Sequence, residues 1–233
     1  MKRELVVGII GGMGPEATVD LMHRVIALTP ASDDIDHIHM IVDNNPKVPS
    51  RIKAIIEGTG ESPAPVIADM AKRLESAGAD FLVMPCNTAH WYYSDAQQAV
   101  SIPVVNLPEL VAGTLRQQHS DIHQVGMLAS TALIKTELYQ PVFEKRELTP
   151  VFPQEVLQNQ LMDLIKKVKA KAYDEHDLAH FSQAAEQLKA QGVGCLVIAC
   201  TELSVISESL QSSLPVYDAS ELLAQHIVTR VKG

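Results

Sequence analysis

Ala77-Gly78-Ala79-Asp80-Phe81-Leu82-Val83-Met84-Pro85-Cys86-Asn87-Thr88 and Gln191-Gly192-Val193-Gly194-Cys195-Leu196-Val197-Ile198-Ala199-Cys200-Thr201-Glu202 read as two copies of one module. Each begins at a Gly turn, runs through a short apolar stretch and ends on a Cys followed by polar residues. The register is constant, since 192 − 78 and 200 − 86 both give 114. Unbroken apolar runs such as Phe81-Leu82-Val83-Met84 and Leu196-Val197-Ile198-Ala199 suit parallel strands buried on both faces. Each Cys is therefore expected where a strand ends.

The duplication extends outward. Ser101-Ile102-Pro103-Val104-Val105-Asn106-Leu107-Pro108-Glu109-Leu110 matches Ser213-Leu214-Pro215-Val216-Tyr217-Asp218-Ala219-Ser220-Glu221-Leu222 at an offset of 213 − 101 = 112. A weaker match sets Gly8-Ile9-Ile10-Gly11-Gly12 against Gly126-Met127-Leu128-Ala129-Ser130, at 126 − 8 = 118. Three segments in one order at similar offsets indicate two domain-sized halves, with a period far longer than that of a solenoid.

Strands are expected at 5–10, 38–43, 81–84, 104–105, 125–128, 195–199 and 216–217, with a weaker one near 150–152. Helices are expected near 15–28, 65–76, 108–118, 135–146, 154–171, 176–190 and 220–232. This alternation predicts an α/β protein of two pseudo-symmetric domains, each a parallel sheet flanked by helices. The first domain is placed at 1–105 together with a C-terminal segment at about 212–233, and the second at 106–211.

A hydrophobic fraction of 46% with 20% charged residues provides an ordinary globular core. No apolar run approaches the roughly 18 residues of a membrane helix. The start, Met1-Lys2-Arg3-Glu4-Leu5-Val6-Val7, leads into a Gly-rich turn without a small-residue cleavage site, so a cytoplasmic location is expected. A net charge of −9 argues against a nucleic-acid partner. The three cysteines show no metal-like spacing and fit a reducing compartment. Cys195 and Cys200 are an odd number apart on one strand and so face opposite ways. Cys195 is expected in the core, as a small hydrophobe.

Ligands of open parallel sheets bind beyond the carboxyl ends of the strands. The polar clusters expected there are Gly11-Gly12-Met13-Gly14-Pro15, Asn44-Asn45-Pro46 followed by Arg51, Cys86-Asn87-Thr88-Ala89-His90 and Cys200-Thr201-Glu202, with Ser130-Thr131 as a weaker fifth. The glycine turn lacks the spacing of a dinucleotide or nucleoside-triphosphate loop. It is expected to admit a small substrate close to the backbone, with Pro15 opening the next helix. A thiol at a helix N-terminus ionises more readily, and the hydroxyl and amide donors beside it suit a carboxylate. Two such thiols on a duplicated frame suit a reaction that removes a proton from one face of a small molecule and delivers one to the other. The pairs His37/His39 and His176/His180 lack a third metal ligand and read as surface or edge residues. His90 has two readings, orienting the site or lying solvated on a helix. Lys166, Lys167, Lys169 and Lys171 form a basic run, usually a solvated face, from which one lysine can point inward.

With Gly11-Gly12-Met13-Gly14-Pro15, Asn44-Asn45-Pro46 and Arg51, Met84-Pro85-Cys86-Asn87-Thr88-Ala89-His90 and Cys200-Thr201-Glu202 in this order, the chain resembles the aspartate/glutamate racemase superfamily, and within it the cofactor-independent aspartate racemases. The resemblance implies two domains related by a pseudo-twofold with the active site between them, a homodimer, and neither cofactor nor metal. It implies that Cys86 and Cys200 are the acid/base thiols and that Asn87, Thr88 and Thr201 hold the α-carboxylate and amino group. Met13 and its turn would close the pocket, while Arg51 and Lys169 would supply cations for a second carboxylate. Glu202 stands where cell-wall glutamate racemases carry a His after Cys-Thr, and Gly-Gly-Met-Gly-Pro replaces their Asp-Ser-Gly turn. The expected substrate is a small acidic amino acid, with L- and D-aspartate interconverted and glutamate also a candidate. Two alternatives accompany this expectation: an isomerase of another small dicarboxylate such as maleate, or a binding module without activity.

Overall fold

A computed structural model describes residues 3–233; Met1 and Lys2 of the charged start lie outside the described residues. The strands are β1 (Val7–Gly11), β2 (Met40–Asn44), β3 (Phe81–Val83), β4 (Gln124–Ala129), β5 (Thr149–Val151), β6 (Cys195–Ala199) and β7 (Val216–Asp218). The chain divides into two compact units, Met1–Leu107 with Ser220–Gly233, and Pro108–Ala219. Among the described residues no helix is long and apolar enough to cross a membrane.

In the first unit the strand order is β2-β1-β3, all parallel, and Val104 adds a single parallel bridge to Leu82 beyond β3. The second unit has the order β5-β4-β6-β7, again all parallel. The two sheets therefore share one topology, and individual bonds recur. The Leu82 amide donates to the Pro103 carbonyl at 2.9 Å, and the Leu196 amide donates to that of Pro215 at 2.9 Å. Asp80 donates to the carbonyl of Val6 at 2.8 Å, and Gly194 to that of Gln124 at 2.9 Å.

The weak sequence match between Gly8 and Gly126 has a steric reason. A Cβ on Gly8 would stand 2.5 Å from Leu82 Cδ2, and one on Gly126 would stand 2.6 Å from Leu196 Cδ2. Each central strand thus gives up a side chain to make room for the leucine of its neighbour. Gly78 and Gly192, at φ 101° and 87°, make the left-handed turns that feed β3 and β6.

Two expectations change. Residues 216–217 were expected with the first domain, but β7 pairs with β6 in the second sheet, where it satisfies backbone groups that would otherwise be left open. The helix that follows it, Ala219–Lys232, goes almost entirely with the first unit. There Leu223 and Ile227 are buried, Arg24 pairs with Glu221 at 3.0 Å and the Arg230 guanidinium sits 4.5 Å from the centroid of Phe81. The mirror event occurs after Val104, where the helix Leu107–Gln118 passes into the second unit. The switch points also repeat, since 219 − 107 gives 112. The single helix expected near 135–146 is instead two, Thr131–Thr136 and Gln140–Glu144. Glu137 caps the first in a left-handed conformation at φ 49°, and Pro141 belongs in the opening turn of the second.

The exit from β3 is tied down by His90, which the structure buries and so decides against a solvated position. Its Nδ1 lies 2.9 Å from the Cys86 carbonyl and its Nε2 lies 3.4 Å from that of Val105. The neutral ring carries one N–H, and placing it on Nδ1 satisfies the shorter contact. Burial holds the imidazole below its ordinary pKa, opposed by these carbonyls.

Gly8→Ala and Gly126→Ala should each destabilise the protein by about 1–3 kcal/mol in urea unfolding, because neither site has room for a methyl group; wild-type stability in both would contradict the shared packing. For His90 the unfolded chain binds a proton near pH 6.5 that the folded chain resists. Stability is then fully present above about pH 6.5 and falls with decreasing pH, by at most roughly 1.4 kcal/mol per pH unit. Denaturation of His90→Gln followed between about pH 6.5 and 5 should show a shallower decline than the wild type.

Candidate functional site

In the first unit β1 ends at Gly11, and the next residue must be glycine. Gly12 has φ 89°, and a Cβ there would fall 2.2 Å from the Asn45 carbonyl carbon. The turn after β1 is thereby pressed against the loop after β2, and the Gly12 amide donates to Thr18 Oγ1 at 2.9 Å. Met13 is buried and joins one apolar cluster with Val48, Met84 and Cys86. Arg51 donates through Nη1 to the Pro49 carbonyl at 3.0 Å, with Val48 at 3.4 Å, so part of its guanidinium closes its own loop. Its charge also reaches Tyr92, whose phenol is pushed up by burial and pulled back by Arg51. Tyr92 ends the short 3-10 turn Thr88–Tyr92 that follows Cys86 and Asn87. Met13, Arg51, Cys86, Asn87 and Thr88 thus lie in the segments that follow the carboxyl ends of three strands of one sheet. Cys86 and Asn87 are buried, while Thr88 is partly exposed.

In the second unit Cys200 follows β6 and caps the short helix Thr201–Val205, with Cys200 and Thr201 both buried. The thiol donates to Glu202 Oε2 at 3.2 Å. Lys169, on the helix Glu155–Ala170, brings Nζ within 3.3 Å of Glu202 Oε1, an ion pair without the direction of a hydrogen bond. Of the basic run, Lys169 is thus the lysine beside this cysteine; Lys166 pairs with Asp163 and Lys167 with Asp177. The helix was expected to favour the thiolate, and the Glu202 backbone amide does act that way. Burial outweighs it, and the Glu202 charge adds to burial, so the Cys200 thiol is held well above its ordinary range while Lys169 opposes. Cys195 begins β6, fully buried, with its thiol pushed up to about 11 by burial, as suits a core residue.

The contact of Glu202 with the thiol escaped sequence reasoning, which placed Glu202 in the strand-end cluster and used it to separate subfamilies. Gln158 was missed as well. It is buried below the end of β4, donating through Nε2 to the Ala129 carbonyl at 2.9 Å and lying 3.4 Å from Thr131 Oγ1. A signal existed, because Gln158 shares the helical register of the buried Leu161, Ile165 and Val168. Among the described residues no group of three His, Cys, Asp or Glu is placed to hold a metal ion, and His176 and His180 simply pack edge to face at 4.7 Å.

The chain matches the Asp/Glu/Hydantoin racemase family over residues 10–227. It is 31% identical over 227 residues to the broad specificity amino-acid racemase RacX of Bacillus subtilis (strain 168), covering 96% of each chain. Its fold is similar to that of the Picrophilus torridus aspartate racemase, with a TM-score of 0.85 and 30% identity, covering 98% of this chain and 94% of that one. Likeness to the Francisella tularensis glutamate racemase in complex with D-glutamate, at a TM-score of 0.65 and 17% identity over 99% of this chain and 81% of that one, is a likeness of fold. On the family match and the near-complete alignment with RacX, the chain belongs to the Asp/Glu/Hydantoin racemase family.

Proposed function

We propose that the protein is a cofactor-independent amino-acid racemase that interconverts L- and D-aspartate, and glutamate as a second substrate, by proton transfer between Cys86, Cα and Cys200. The observation that carries this reading is the equivalence of the two thiols. Each is buried just beyond the carboxyl end of the matching strand of one duplicated sheet. One cysteine as thiolate would remove the α-proton from one face of the substrate. The other, as thiol, protonates the opposite face, and the reverse reaction exchanges their roles. Asn87, Thr88 and Thr201 would hold the α-carboxylate and amino group, and donors to that carboxylate would stabilise the carbanion-like transition state. Met13 would close the pocket, and Arg51 would meet the side-chain carboxylate with the two-pronged geometry a guanidinium offers. A homodimer acting in the cytoplasm belongs to the same reading.

A second reading, an amino-acid racemase of wider substrate range, draws support from one observation. Lys169, expected as a cation for a substrate carboxylate, is paired with Glu202. Aspartate, glutamate, alanine and maleate assayed side by side by chiral chromatography, without added cofactor, distinguish the readings. Conversion of aspartate well ahead of alanine supports the acidic preference, and equal conversion supports the wider range. Cys86→Ser and Cys200→Ser should each lower racemisation by about 10²-fold or more; near wild-type rates in either would refute the two-cysteine assignment. Arg51→Gln should raise KM for aspartate by about tenfold, the equivalent of ~1.4 kcal/mol, with a smaller effect on alanine.

A further inference from the structure

The two cysteines are equivalent in topology but not in surroundings. Cys86 ends in the sequence Asn87-Thr88, whereas Cys200 is followed by Thr201 and an acid. Glu202 is buried, takes a hydrogen bond from the Cys200 thiol at 3.2 Å and is itself paired with Lys169 at 3.3 Å. A buried carboxylate between a thiol and an ammonium is an electrostatic setting, since a charge removed from water persists only with compensation. Asp218 adds a second carboxylate at this edge of the sheet. The nearest end of β4, at Ala129, is apolar, and Asp218 at the end of β7 accepts a 2.6 Å hydrogen bond from Ser204.

We propose that Glu202 is a positioning residue that holds the Cys200 proton, making Cys200 the acid of the pair in the resting protein, with Lys169 setting how firmly that proton is held. The proposal rests on the two-cysteine reading and adds to it an asymmetry between the cysteines. When Cys200 acts as acid, its S–H bond breaks, the proton passes to Cα and a thiolate remains beside Lys169. When Cys200 must act as base, its proton moves first from Sγ to Glu202 Oε2. The S–H bond breaks and an O–H bond forms. The negative charge shifts from carboxylate to sulfur, so the total charge beside Lys169 does not change. The free thiolate then takes the α-proton.

The test combines a titration with kinetics on the full-length protein. ¹³Cβ-labelled cysteine follows the three thiols separately by NMR, with Cys86→Ser used for assignment. Glu202→Gln keeps the size of the side chain and removes its charge, so the Cys200 thiolate should form at a pH lower by about one unit or more. Lys169→Gln should move the same transition upward, giving a second variant with the opposite sign. Because the equilibrium constant of a racemisation is one, kcat/KM stays equal for the two enantiomers in every variant. The ratio of kcat values for the L and D forms is free to change, and it should shift several-fold in Glu202→Gln. An unmoved Cys200 transition, transitions moving in the same direction in both variants, or an unchanged kcat ratio overturns the proposal. Wild-type protein that racemises no amino acid would instead refute the two-cysteine reading, and the titration then decides separately whether Glu202 holds the thiol proton.

Discussion

Parallel pairing is the constraint on which the rest depends. Strands bonded in parallel run the same way, so their carboxyl ends all open onto the same edge of the sheet. β3 pairs with β1, and β6 lies between β4 and β7. Whatever follows β3 or β6 is therefore delivered to the edge where the neighbouring loops also emerge. Cys86 and Cys200 follow those strands, and the glycines at 8 and 126 leave room on the central strands for Leu82 and Leu196 of the cysteine-bearing neighbours. The placement of the thiols follows from backbone hydrogen bonding and from two absent side chains, before any polar chemistry enters.

The chemistry then departs from the symmetry of the scaffold. The first unit surrounds its cysteine with apolar neighbours and the tethered His90, and keeps Arg51 in the loop after β2. The second places a carboxylate on its cysteine and a lysine on that carboxylate. A duplicated frame supplies two equivalent positions, and the residues that follow each cysteine give the two thiols different neighbours. Reactions that run in both directions through two bases require the two groups to be in opposite states at the start of each turnover. A built-in difference between them is consistent with that requirement.

Much of this was legible in the sequence because buried parallel strands leave long apolar runs and because the duplication repeats them. β6 was read with its observed bounds, and the helix Pro15–Leu28 likewise, since Pro15 fixes its start. The pairing of the strand at 216–217 was not legible, although the last helix does return to the first unit as expected. Val216 and Tyr217 are too short a run to declare their partner, and a pairing choice lies in three dimensions, not in composition. The break between Thr136 and Gln140 depends on one left-handed residue, Glu137, whose type gives little warning. Lys169 could not be separated from its neighbours by spacing alone. Its selection comes from Glu202, which lies 202 − 169 = 33 residues away and meets it only after folding. Gln158 was hidden for a different reason, because a polar residue in an apolar register looks like noise until its carbonyl partner is seen.

The central claim is that two thiols address opposite faces of one Cα without help from a cofactor. Racemisation of L-aspartate in deuterated water, sampled over the first few percent of conversion and resolved by chiral chromatography with mass detection, tests it most directly. The account predicts D-aspartate carrying one deuterium at Cα while the remaining L-aspartate keeps its hydrogen, because the proton removed by one cysteine is not the one returned by the other. D-Aspartate that retains the original hydrogen, or no exchange into either enantiomer, would contradict it.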